Sequence, residues 1–468
     1  MAESGLITRS SDPLLSLQQF RLGEWQLLEP PRDGVLARAE LEVEIEDPLA
    51  WLQSLHTQAS AHVSCYWSNR DGTRAAAGIG AAALVRGADQ VDHQRVIDEL
   101  SGLVGSSDTQ RAYGGFSFTG MPATNSAWEH FGSHCFVVPR LELVRSSGRC
   151  TLACNFRSPE AAALPRLLAN LVPEGSRGSA AVADWLRTYS EAPASRSSSP
   201  GPDEWRRAVT HLLRRINSGN GDWPALQKAV LARVCSVRFT HPVSPHRALA
   251  RLRTVNPHAF QFLLQPAPGV AFFGASPERL VRVRQRRLVT EALAGTRPRG
   301  DSITTDRELE QQLLTSVKER HEHRLVHDGI RHALADLCDT VQVRDTVSVR
   351  KLAHVQHLDT PFEGLLKSGK RLGDVLRTLH PTPAVAGSPR ELALTAIAAA
   401  EPFDRGWYSA PFGWVDSDGG EFAVAIRSAL KVDDSLDLYA GSGIVSGSDP
   451  DTEWDETENK LQQLLEAI

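Results

Sequence analysis

A mixed α/β fold is what this sequence predicts, and three observations predict it. Short runs alternate apolar and polar residues with the period of a strand, as in Leu41-Glu-Val-Glu-Ile-Glu46. Longer stretches repeat apolar residues every three or four positions, as in Leu309, Leu313, Val317, Val326, Ile330 and Leu334. The chain has 468 residues and is 41% hydrophobic, enough to bury a large core. Length alone suggests two or three domains, or one large α/β domain with a smaller companion.

Composition excludes several classes of function. The formal net charge is -5, and the densest basic run, Arg282-Val-Arg-Gln-Arg-Arg287, alternates like an exposed strand and turn, so no nucleic-acid partner is expected. Six cysteines in so long a chain make no disulfide framework. Cys150 and Cys154 are the closest pair and lack a second Cys/His pair to complete a zinc site, so all six are read as reduced and mostly structural. The N-terminus lacks the basic and then apolar run of a signal peptide, and no segment reaches the ~18 apolar residues of a membrane span. A cytoplasmic protein is expected.

The elements follow in order. Asp47-Pro-Leu-Ala-Trp-Leu resembles a helix start, and His62–Trp67, Tyr113–Phe118 and Cys135–Leu143 read as strands. No catalytic constellation appears there, so residues 1–190 read as scaffold. The Ser/Pro-rich stretch 190–202 is linker-like and marks a boundary before a region 203–468, or a long surface loop inside one continuous domain. Glu204 to Ile216 is helical, and Gln227–Arg233 is a strand. Phe260–Leu264 and Val270–Phe273 form a strand pair, the strands Leu280–Val283 and Leu288–Thr290 follow, and a glycine turn is expected at Gly295. Thr305-Asp306 can cap one long helix from Arg307 to about Leu337. A strand at Val347–Leu352, a loop at Val355–Pro361, helices at Leu372–Leu379 and Pro389–Ala400, and a strand Phe422–Leu430 complete the middle. The chain ends in an apolar strand, a glycine turn at Gly441-Ser-Gly443, and a helix opened by Pro450.

Several residues carry chemistry. Between the ends of the Gln227–Arg233 strand, both faces are apolar except for Lys228; it marks a buried functional amine, or a lysine at the strand entry with its amine in water. Glu453 and Glu456 share a helix face at i, i+3, with Lys460 four residues on. One such pair means little: with 56 acidic residues in 468, roughly seven arise by chance. Glu319 and Glu322 repeat the spacing on another helix. Four carboxylates on two helices could bind a hard divalent cation such as Mg²⁺. The glycine turns offer N–H groups to a substrate carboxylate, and Arg427 could hold another as a bidentate fork. Lys228 and Glu278 would be the acid–base pair, since desolvation favours a neutral amine and a protonated carboxyl. Phosphate-loop, dinucleotide, zinc-protease, di-iron and nucleophile-elbow patterns are absent.

From about Trp205 onward the chain resembles the chorismate-utilising enzymes: anthranilate, aminodeoxychorismate, isochorismate and salicylate synthases. The resemblance rests on Lys228-Ala-Val-Leu-Ala-Arg, Gly274-Ala-Ser-Pro-Glu-Arg-Leu, Leu293-Ala-Gly-Thr-Arg, Lys318-Glu-Arg-His-Glu-His, Gln356-His-Leu, Gly441-Ser-Gly-Ile-Val and Ser448-Asp-Pro-Asp-Thr-Glu-Trp-Asp-Glu-Thr-Glu-Asn-Lys, in that order. It implies two large antiparallel sheets packed as a sandwich with helices outside. Family members that deliver water have lysine at the position of Lys228; those using ammonia usually have glutamine. The implied mechanism has Lys228 activating water for attack at C2 of chorismate and Glu278 protonating the leaving C4 hydroxyl, giving isochorismate. The resemblance further implies Mg²⁺ on Glu322 and Glu456, with Glu319 and Glu453 supporting through water. Tyr408, Arg427, Gly441 and Lys460 match positions contacting substrate carboxylates, and Thr296 and His357 match positions lining the pocket. Ser442 stands where alanine is common, a departure expected to be tolerated.

The N-terminal part matches more loosely. Tyr113-Gly-Gly-Phe-Ser-Phe, Trp128 and Phe136-Val-Val-Pro resemble the menaquinone-pathway members. The competing readings are a salicylate synthase, a siderophore-pathway enzyme, an aminating synthase with a glutaminase partner, and a catalytically dead binding protein. The residues favour chorismate as the partner and no obligatory protein partner.

Overall fold

The structure, a computed structural model, describes residues 26–29, 34–56, 62–105, 109–123, 127–164, 193–218, 225–241, 243–344, 346–466 and 468. Every strand pairing among these residues is antiparallel. The strands form one continuous hydrogen-bonded network that folds into two facing sheets. Two long strands, Arg74–Gly87 and His134–Ser146, run through both, and their register slips between Ala81 and Ala83.

On one side of this hinge pair, Arg149–Phe156, Ala37–Val43 and Gln26–Glu29 extend the first sheet. On the other lie Ser64–Ser68, Phe260–Ala267, Val270–Ser276, Ser428–Val432, Ser435–Val445 and Lys228–Arg238. The second sheet leaves the hinge through Ala112–Phe116 and continues with Pro411–Asp416, Gly419–Val424, Arg279–Arg284, Arg287–Pro298 and Val355–Leu366.

Aromatic side chains fill the space between the sheets. Trp67, Phe262 and Phe272 come from the first; Tyr113, Phe412 and Trp414 come from the second. Phe262 stacks on Phe412 with ring centroids 4.6 Å apart, joining the two. Burying each such side chain contributes about 1.5–3 kcal/mol. Helices Pro48–His56, Pro245–Val255 and Pro450–Glu466 cover the outer face of the first sheet. His93–Leu103, Val317–Leu337 and Leu372–Leu379 cover that of the second. The expected sandwich with outer helices is therefore present, and all six cysteines are free and buried. Among the described residues, no helix is long and apolar enough to cross a membrane.

Several local expectations need correction. The long helix is two, Ile303–Thr315 and Val317–Leu337, and Ser302 rather than Thr305-Asp306 caps the first. Ser316 ends one helix and caps the next by accepting from the Glu319 N–H at 3.4 Å. The expected loop at Val355–Pro361 lies in the Val355–Leu366 strand, which pairs along the whole of Arg287–Pro298. The expected strand Phe422–Leu430 is split into Gly419–Val424 and Ser428–Val432, with Arg427 between them at φ +52°. Within the linker-like stretch, 190–192 lie outside the described residues and Ser195–Ser199 forms a strand paired with Lys228–Arg238. Gly295 and Gly441-Ser-Gly443 are not turns; both stretches lie within strands.

Candidate active site

The site lies where the ends of several strands meet two helices. The strands Lys228–Arg238 and Ser435–Val445 pair with Lys228 opposite Val445, Val230 opposite Gly443 and Ala232 opposite Gly441. Lys228 is fully buried, and its Nζ donates to Glu322 Oε1 at 2.9 Å. The lysine is thus a buried amine, and the alternative of a solvated strand entry does not hold. Glycine at 443 makes the contact possible. A Cβ there would come within 2.4 Å of Glu322 Oε1 and 3.0 Å of Lys228 Cε.

Glu278 stands at the junction of Val270–Ser276 and Arg279–Arg284. Its N–H donates to Ser276 Oγ at 3.2 Å, and its carbonyl accepts from the Val424 N–H at 3.1 Å. Burial, then the negative charge of Glu291, push its carboxyl up to about 8, against the opposing charges of Lys228 and Arg350. Glu278 is therefore protonated at neutral pH, as a proton donor must be.

A bulge next to Gly295 (φ +77°) interrupts the Arg287–Pro298 strand. Without a side chain, Gly295 lets the Val317–Leu337 helix approach, and the Thr296 N–H donates to Glu319 Oε2 at 3.0 Å. His357 sits opposite Thr296. Its Nδ1 lies 3.1 Å from Thr296 Oγ1 and 3.2 Å from the Gly295 carbonyl. Nε2 is buried in the wall of the cavity with no hydrogen-bond partner among the described residues. Burial, then the charges of Arg427 and Lys460, lower the imidazole to about 3, so it is neutral.

The remaining charges, Arg427 apart, come in pairs. Lys318 Nζ donates to Glu453 Oε1 and Lys460 Nζ to Glu456 Oε1, each at 2.6 Å. Lys460 also donates to the Gly441 carbonyl at 2.9 Å, and Ser442 Oγ donates to Glu453 Oε2. Arg297 lies 3.6 Å from Glu319. Arg427 donates to Gln463, and Tyr408 stacks on Tyr439 with centroids 5.2 Å apart.

Glu278, Thr296, Glu319, Glu322, His357, Tyr408, Arg427, Gly441, Glu453, Glu456 and Lys460 all line one cavity of about 100 Å³. Lys228 reaches it through Glu322. Every site residue read from the sequence is thus brought to one place. The four carboxylates offer only oxygen donors, the ligand type that hard divalent cations prefer. Each carboxylate is now held by a cation, an N–H or a hydroxyl. Among the described residues, no three His, Cys, Asp or Glu side chains converge as a metal cluster.

Residues 25–468 match the family model described as chorismate binding enzyme. The chain belongs to this family. Isochorismate synthase 2, chloroplastic, of Arabidopsis thaliana is 36% identical, over 94% of this chain and 82% of that one. A salicylate biosynthesis isochorismate synthase of Pseudomonas aeruginosa is 33% identical over 96% and 92%. A solved structure of MenF, the menaquinone-specific isochorismate synthase of Escherichia coli, superposes with a TM-score of 0.79 at 28% identity, covering 97% of this chain and 98% of that one.

For this chorismate binding enzyme, sequence reasoning missed Lys318, which lines the cavity, and a group behind Glu278 formed by Glu291, Arg70 and Arg350. Lys318 stands in one of the quoted motifs and could have been found there. The others are far apart in sequence and match no spacing rule.

Proposed function

We propose that this enzyme is an isochorismate synthase, converting chorismate to isochorismate by adding water at C2 and expelling the C4 hydroxyl. The observation that supports this most is that one cavity is served by a buried lysine and by a buried glutamic acid whose carboxyl burial pushes up. Lys228, once its Nζ is neutral, takes a proton from water as the water oxygen bonds to C2. The two ring double bonds shift, the C4–O bond breaks, and Glu278 gives its proton to the departing hydroxyl. Water out and water in balance, so the reaction is an isomerisation. Arg427, Lys460, Tyr408 and the Gly441 backbone hold the substrate's carboxylates, and Thr296 and His357 complete the wall.

Glu322 and Glu456 would hold Mg²⁺, with Glu319 and Glu453 behind them. When bound, Mg²⁺ neutralises and orients the ring carboxylate. Lys228 in place of glutamine favours water over ammonia, so no glutaminase partner is required. Six free buried cysteines suit a cytoplasmic setting.

We assign the product to menaquinone biosynthesis. The reading is supported by Tyr113-Gly-Gly-Phe-Ser-Phe and by the likeness to MenF over nearly the whole chain. Deleting the gene should abolish menaquinone and leave any siderophore intact; the reverse would move the enzyme to the other pathway. Incubation of the protein with chorismate and Mg²⁺ should yield isochorismate, and salicylate as sole product would overturn the assignment of activity.

A further inference from the structure

Glu291 has no contact with the cavity, yet it is the most heavily bonded carboxylate near it. It lies on the Arg287–Pro298 strand and is 5% exposed. Arg70 donates to its two oxygens at 2.6 and 3.1 Å, and Arg350 donates to the same two at 2.7 and 3.0 Å. The Arg279 N–H adds a fifth bond at 3.0 Å. Arg70 Nη1 also donates to the Pro277 carbonyl at 2.9 Å. These last contacts fall on the residues immediately before and after Glu278.

We infer that Glu291 sets Glu278 for proton donation, clamping the backbone on both sides of it and presenting a permanent negative charge beside it. The inference rests on the reading of Glu278 as the acid. Two forked guanidiniums keep Glu291 ionised; burial opposes this, and Arg70 and Arg350 still hold its carboxyl at about 2. A like charge that cannot be neutralised makes ionisation of Glu278 costlier. The charged groups around Glu278 are Glu291 from Arg287–Pro298, Lys228 from Lys228–Arg238, Arg350 from Ser348–Lys351, and Arg70, which follows Ser64–Ser68 and holds the Pro277 carbonyl. Glu291 touches no reacting atom and is a positioning residue. A merely structural role would be to anchor Arg70 and Arg350.

The pH profile of kcat/KM with chorismate and Mg²⁺ separates these roles. The alkaline limb reports loss of the Glu278 proton. In Glu291→Gln the limb should move down by about one pH unit. In Arg350→Gln, which removes an opposing positive charge, it should move up. A structural anchor predicts lower kcat/KM with unmoved limbs, and that result would overturn the inference. If Glu291→Gln does not fold, Arg350→Gln decides alone: an unmoved or downward limb there overturns it. Glu278→Gln is run beside them. Should it keep full activity, the reading of Glu278 as the acid fails. Should it be inactive while the other limbs stay fixed, only the inference about Glu291 fails.

Discussion

Lys228 Nζ and Glu322 Oε1 lie 2.9 Å apart, so the proposed base and a proposed magnesium ligand are one ion pair. The lysine is fully buried and the glutamate partly so. Neither can be removed without leaving the other short of a partner.

Lys228→Ala should lower kcat by about 10²–10⁴-fold, the usual contribution of a general base. Circular dichroism should show the fold retained, and isochorismate formation followed by chromatography measures the loss. Unchanged turnover would remove Lys228 from the chemistry.

Gly443→Ala should also lower turnover, without removing a charged group. Its Cβ would sit 2.4 Å from Glu322 Oε1, so the glutamate must move away from Lys228. Turnover should fall at least about tenfold, as for other disruptions of ligand support. Ser442→Ala, next door, loses one hydrogen bond to Glu453, with a stability cost of about 1 kcal/mol, and turnover should stay within a few-fold. Kinetics and thermal melts of the two variants make the comparison.

Glu278→Gln should be inactive and more stable, by an amount that depends on pH. The unfolded carboxyl ionises near 4.5, while the buried one keeps its proton to about 8. Between these values the unfolded state binds fewer protons, so wild-type stability falls as pH rises. A glutamine carries no such slope. The melting-temperature gain should therefore grow from about pH 4.5 to about pH 8 and then level off. A gain independent of pH would show that Glu278 titrates normally.

Chelation should abolish turnover, and added Mg²⁺ should restore it. Glu322→Gln and Glu456→Gln should each weaken Mg²⁺ binding at least about tenfold by calorimetry. Glu319→Gln and Glu453→Gln should weaken it less. Equal losses in all four would contradict the division into direct and supporting ligands.

The site was more legible in the sequence than the fold around it. Lys228 stood out because a charge on a strand apolar on both faces has few innocent explanations. Glu319 and Glu322 gave meaning to Glu453 and Glu456 by repeating one spacing on a second helix. The break at Ser316 was readable too: Ser316-x-x-Glu319 is a cap signature that the continuous apolar stripe obscured. Arg427 was found, but its left-handed backbone between two strands was not, since arginine carries no signal for that conformation. The Val355–Leu366 strand reads as a loop because Pro361 lies within it. Glu291, Arg70 and Arg350 were invisible because only the tertiary fold brings positions separated by 221 and 59 residues together.

The most direct test is chromatographic identification of the product from chorismate and Mg²⁺, with and without ammonia. Isochorismate is expected in both cases, unchanged by ammonia and lost in Lys228→Ala. Anthranilate or aminodeoxychorismate appearing only with ammonia, or salicylate with no isochorismate, would contradict water delivery by Lys228 as the central chemistry of this site.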